Sequence, residues 1–180
     1  MPLLPFPDTR QSTSFSCGAA AVQSVLYYYG TDWSEGDFIE ELETSPEKGT
    51  SVAEITAFFQ GQGLKVTSGQ MDVAQLRYWV DRFVPVIVLI QAWADGVEPA
   101  DHYADQWGDG HYVVVIGYDE KNIYFDDPSI LDNRGFIPVD EFMLRWHDVD
   151  TDDTKYVNFG IAVYGKPPTY NPASVLKIEG

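Results

Sequence analysis

Apolar residues recur at helical spacing through the first half of the chain and run together in short blocks through the second. Val22, Val25, Leu26 and Tyr29 stand at i, i+3, i+4 and i+7, and Gly30 follows where a helix stop belongs. CGAAAVQSVLYYYG therefore predicts a helix with Cys17 at its N-terminus. Ser34 caps a second predicted helix, Ser34 to Leu42. A third begins near Ser51, with Val52, Ile55 and Phe59 on one face, and ends in Gly61-Gln62-Gly63. A short strand, Leu64 to Thr67, is expected next. Asp72 then caps a fourth helix whose stripe is Val73, Leu76, Val80 and Phe83.

From there the period changes. Pro85–Ile90 and His111–Gly117 are short, β-branched and almost continuously apolar, the pattern of central strands covered on both faces. Asp119-Glu120-Lys121-Asn122 predicts a turn into a hairpin partner, Ile123–Asp127, which Pro128 terminates. Phe136-Ile137 predicts a strand, Val139–Trp146 a helix and Tyr156–Tyr164 a last strand. Helices first and antiparallel strands afterwards make this an α+β fold. The expected organisation is one domain over residues 1–180, with a core at 11–164, an insert at 93–110 and an irregular tail at 165–180.

Composition narrows the partners. With 11 Lys and Arg against 28 Asp and Glu, the formal net charge of the 180-residue chain is −17. Such a field repels phosphate backbones and anionic membrane surfaces, so no nucleic acid is expected, and it attracts basic peptides. The acidity is locally concentrated. Phe83–Glu120 carries seven acidic residues and no Lys or Arg, which predicts a solvated loop at Trp93–Gly110. No apolar run reaches the length of a membrane span. Three early prolines without a basic stretch do not resemble a secretory signal, so a cytoplasmic location is expected.

A single cysteine excludes intrachain disulfides and multi-cysteine zinc sites. At a helix N-terminus, free N–H groups and the positive end of the macrodipole favour a thiolate. Gly18 is expected to leave room for a substrate carbonyl beside the sulfur. The thiol needs a base, and of His102, His111 and His147, His111 opens a predicted central strand at the sheet rim. Antiparallel pairing through the Asp119–Asn122 turn sets the end of the next strand, Asp127, beside the start of His111's own strand. Gln11, six residues before Cys17, lies within reach of the sulfur if the chain bends at Ser12–Ser16. Its amide and the Cys17 N–H would form an oxyanion hole. Taken singly, each residue also has a structural reading: a buried thiol, a strand-end imidazole, an Asp-Pro turn.

Together, QSTSFSCGAAAVQSVLYYYG, GHYVVVIGYD and IYFDDPS resemble the papain-like cysteine peptidases, and most closely the bacteriocin-processing (double-glycine leader) peptidase-like family in a stand-alone form. RGFIPVDEFMLRW resembles that family's C-terminal segment. The resemblance implies a papain-like fold, hydrolysis of a peptide bond through a thioester and no cofactor. It implies Cys17 as nucleophile, His111 as base, Asp127 as orienting carboxylate and Gln11 as oxyanion donor. The family's best-known members are domains of export transporters, whereas this chain carries no membrane segment or nucleotide-binding motif. An acyltransferase or deamidase would use the same thiol, and a catalytically inactive peptide-binding module would keep the fold. Asp95, Glu98, Asp101, Asp105 and Asp109 offer oxygen ligands for calcium, but their spacing does not match an EF-hand.

Overall fold

The computed structural model describes residues 2–93, 100–131, 134–175 and 177–178. The chain runs through α1 (Cys17–Tyr28), α2 (Glu35–Glu41), α3 (Val52–Gly61), β1 (Lys65–Gln70), α4 (Val73–Val80) and β2 (Val86–Gln91). It continues with a 3-10 helix (Ala100–Asp105), β3 (Gly110–Tyr118), β4 (Asn122–Asp126) and β5 (Gly135–Pro138). Helix α5 (Val139–Arg145), β6 (His147–Val149), β7 (Lys155–Val157) and β8 (Phe159–Tyr164) complete it.

Local chemistry sets several of these boundaries. Helices α2, α3 and α4 each start with a reciprocal capping box, formed by Ser34 with Asp37, Ser51 with Glu54 and Asp72 with Gln75. Helix α1 has no such cap. Its first residues, Gly18 to Ala21, are small and buried, so the helix closes tightly on its neighbours. A Cβ at Gly18 would lie 2.7 Å from Thr50 Cβ and Oγ1 and 3.2 Å from the Tyr112 ring. The space freed by Gly18 is thus filled by Thr50 and Tyr112, and is not the open room beside the sulfur that the sequence suggested.

Six strands form one antiparallel sheet in the order β1-β8-β2-β3-β4-β5. Strand β2 is buried along its whole length, as the continuous apolar run requires. Helix α1 crosses β3, and its Val22, Val25 and Leu26 join Val113, Val114 and Ile116 in the core. Among the described residues, no helix is long and apolar enough to cross a membrane.

Three expectations change. Phe83 does not continue the α4 stripe: its backbone turns left-handed (φ 59°), its N–H closes the helix on Val80, and its ring is 58% exposed. Tyr156–Tyr164 is not one strand. Asn158 adopts φ 52°, donates to Trp146 O and accepts from Met71 N, which divides the segment between two sheets. β7 pairs with the unanticipated strand β6, while β8 joins the main sheet. Lastly, the later part of the acidic insert is solvated at Asp105 and Asp109, which are exposed, but its aromatic residues dock on the domain. Arg145 lies 4.3 Å over the Tyr103 ring, Lys155 lies 4.4 Å over Trp107, and His147 Nε2 bonds Gln106 O at 2.6 Å. Asp95 and Glu98, and the side chain of Asp101, lie outside the described residues; among those described, no group of three His, Cys, Asp or Glu could hold a metal.

Candidate active site

Cys17 is half-buried at the first turn of α1. The loop that delivers it is held from two sides. Glu35, at the start of α2, accepts the Ser12 N–H on both oxygens at 3.0 and 2.9 Å and the Ser16 hydroxyl at 2.6 Å. Ser16 is fully buried and also accepts from the Thr13 hydroxyl at 2.8 Å. On the other side, Gln11 N–H donates to Pro128 O at 2.9 Å, tying the loop to the turn that follows β4.

That turn carries Asp127. His111, on β3, is 1% exposed and its Nε2 lies 2.7 Å from Asp127 Oδ1. The same oxygen accepts from Ser129 N–H at 2.8 Å and from its hydroxyl at 2.7 Å, which fixes the carboxylate. Trp93 covers the imidazole, with ring centres 4.7 Å apart. The pairing of Val114 with Asp126 sends the two adjacent aspartates to opposite faces of β4, so Asp127 and not Asp126 meets the histidine. Asp126 is 1% exposed, 3.6 Å from Arg134, and both its oxygens lack hydrogen bonds.

The electrostatics favour a charged imidazole. Burial opposes charge on His111, but its hydrogen bond to Asp127 and the adjacent Cys17 sulfur outweigh it and push its pKa up to about 9. With Nε2 committed to Asp127, Nδ1 is the nitrogen left for the sulfur. Nδ1 is buried without a completed hydrogen bond, and the sulfur beside it raises the pKa. Asp127 is half-buried, which opposes its ionisation. Its bonds to His111 and Ser129 win, and its carboxyl is held below the usual range.

Gln11 donates its side-chain amide to Thr13 O at 2.7 Å, while its Oε1 is buried without a partner. His147 is engaged with Gln106 and Trp107, and His102 with Gln106, so neither belongs to this cluster. A cleft of about 310 Å³ opens at Cys17, lined by Phe15, Thr50, Gly110, Tyr112, Asp148 and neighbouring residues. Glu35, Trp93, Ser129 and Asp148 escaped the sequence reading. Glu35 reads there only as a first-turn helix acid, and Asp148 only as the neighbour of a histidine.

A model of the peptidase C39 family matches residues 6–149. The chain belongs to the peptidase C39 family. An uncharacterized protein of Methanothermobacter marburgensis is 29% identical over 121 residues, covering 67% of this C39 chain and 70% of its own length. The peptidase domain of Streptococcus ComA, described as a bifunctional ABC transporter involved in quorum sensing, superposes with TM-score 0.64 at 20% identity, covering 92% of this chain and all of that one. A structure described as C39-like from Bacillus anthracis gives TM-score 0.70 at 15% identity, covering 93% and 98%. At these identities the structures establish the fold, which is the papain-like cysteine peptidase fold.

Proposed function

We propose that this C39 family member is a cysteine peptidase that hydrolyses a peptide bond of a peptide or protein substrate through a thioester on Cys17. The observation that carries the reading is the 2.7 Å bond between His111 and Asp127, which holds a buried imidazole against a helix-borne thiol at an open cleft. Protonated His111 next to the sulfur favours the thiolate, the nucleophilic form.

The sulfur attacks the scissile carbonyl carbon, forming a C–S bond and moving the C=O pair onto oxygen. The Cys17 N–H, with the second hydrogen of the Gln11 amide, stabilises that oxyanion. Gln11 supports this role by its place in the loop leading to Cys17; one amide hydrogen is engaged with Thr13 O and the other is free to turn to substrate. As the C–N bond breaks, His111 passes its Nδ1 proton to the departing amine. Neutral His111 then takes a proton from water, the hydroxide adds to the thioester, and the C–S bond breaks to release the acid. The thiolate–imidazolium pair is restored. Asp127 keeps Nε2 protonated and the ring oriented throughout.

The test is incubation with a defined peptide library, followed by mass analysis of products. New free carboxyl and amine termini that disappear with Cys17→Ala support hydrolysis. Transfer of the acyl group to an added amine, or conversion of glutamine to glutamate without chain cleavage, would replace it with acyl transfer or deamidation.

A further inference from the structure

Asp148 follows His147 in β6 and lines the Cys17 cleft at 8% exposure. The fold builds its position. Gln91, fully buried at the end of β2, donates Nε2 to Asp148 Oδ1 at 3.0 Å and accepts the Asp109 N–H at 3.0 Å. The carboxylate occupies the place that a side chain at position 110 would take: a Cβ on Gly110 would lie 2.1 Å from Oδ2. Gly110 immediately precedes His111, so the carboxylate is set one residue along the strand from the imidazole.

No ion pair neutralises this charge; the charged His111 acts on it only through space. Among the described residues, no Lys, Arg or His forms an ion pair with Asp148. Burial accordingly pushes its carboxyl up to about 6, which leaves it mostly ionised at neutral pH. The other charged groups of the cleft are Glu47, Lys48 and Asp150. Asp150 is spent in part on the fold, accepting the Val52 N–H at the start of α3 and the Thr151 N–H. A carboxylate held out of water by neutral donors and without an ion pair, in the cleft that holds the thiol, suits a desolvated cation better than a neutral group.

We infer that Asp148 is a specificity residue, which receives a cationic group of the peptide substrate close to the scissile bond. The cation is a lysine or arginine side chain or a free α-amino group. This rests on the cleft being the substrate cleft of the peptidase proposed above. The cleft is small, with room for one or two side chains, so the cation belongs to a residue adjacent to the cut.

The experiment reads binding as well as turnover. Fluorescent peptides carrying one Lys at successive positions are paired with norleucine counterparts, Arg with citrulline, and free with acetylated N-termini. Affinities are measured on full-length Cys17→Ala, and kcat/KM on the intact enzyme. At one position the charged peptide of a pair should bind about tenfold or more tightly, as a charge-assisted hydrogen bond implies. Asp148→Asn, which keeps an oxygen for Gln91, should erase that ratio while the neutral peptide binds as before. Raising salt on the unmutated cleft should leave most of the ratio, because a desolvated pair is poorly screened. Equal affinities for charged and neutral peptides at every position, or an equal loss for both in Asp148→Asn, would overturn the inference. A charge preference in binding without any hydrolysis would instead overturn the peptidase reading and leave the cation site standing.

Discussion

Replacing Asp127 with asparagine removes one negative charge and keeps an oxygen where Oδ1 accepts from His111 and Ser129. The His111 pKa stands at about 9 against an ordinary 6.5, a net rise achieved in spite of burial. At about 1.4 kcal/mol per unit, the rise corresponds to roughly 3 kcal/mol in favour of imidazolium. Asp127 and Cys17 both supply it, and a charge-assisted hydrogen bond is worth about twice a neutral one. Asparagine should therefore lower the His111 pKa by about one unit or more, with burial then pulling harder towards the neutral ring. The readout is the NMR titration of the imidazole, assigned by its loss in His111→Gln, together with the pH dependence of Cys17 alkylation. The upper limb of that profile should move to lower pH in Asp127→Asn. The stability linked to this group has a defined sign. A folded pKa raised above the unfolded value stabilises fully below pH 6.5 and loses its contribution as pH climbs through 9. Asp127→Asn should shrink that loss. An imidazole that titrates near 6.5 in the unmutated protein, or one unmoved by Asp127→Asn, would refute the charge argument.

Two further substitutions separate fold from chemistry. Glu35→Ala removes the acceptor of Ser12 and Ser16, and should lower kcat about tenfold or more through a loosened nucleophile loop; Glu35→Gln, which keeps one acceptor oxygen, should restore part of it, and a kcat unchanged in both would show the clamp to be idle. Asp126, like His111, makes the fold less stable as pH rises, but in a lower window and as a cost instead of a lost contribution. Burial raises its carboxyl to about 7, so its cost to the fold appears above pH 4, grows up to about pH 7 and is constant beyond. Asp126→Asn should raise the melting temperature at pH 8 more than at pH 4, and an equal change at both pH values would mean the carboxyl is not neutralised by the fold.

How far the sequence could be read depended on the range of the interaction involved. Helix starts at Ser34, Ser51 and Asp72 were visible because a cap and its reciprocal partner lie three residues apart. The neighbourhood of His111 and Asp127 was accessible in part, since a short turn makes β3 and β4 antiparallel neighbours. The one-residue register shift between Val115 and Gly117 that turns Asp127 to the face of His111 leaves no mark in the sequence. The break at Asn158 was hidden because its flanking residues keep a strand-like pattern, and only a partner strand some ten residues upstream reveals that the segment serves two sheets. The solvated-loop expectation holds for the exposed Asp105 and Asp109 but is incomplete, because charge counting ignored Tyr103 and Trp107, whose rings meet the cations of α5 and β7. Glu35 and Asp148 were beyond reach. Each acts on a loop or strand 19 or more residues away in sequence, and only the folded chain brings them to the thiol. The family's pattern of Cys, His, Asp and Gln supplied what spacing alone left open.

The most direct test of the central claim is to catch the acyl-enzyme. A rapidly cleaved peptide ester is mixed with the protein, quenched in acid within one turnover, and the intact mass and digested peptides are read. The acyl group should be found on Cys17, labile to hydroxylamine, absent in Cys17→Ala and slow to form in His111→Ala. Hydrolysis that proceeds with no adduct on Cys17, or that survives Cys17→Ala, would contradict thiol catalysis by this chain.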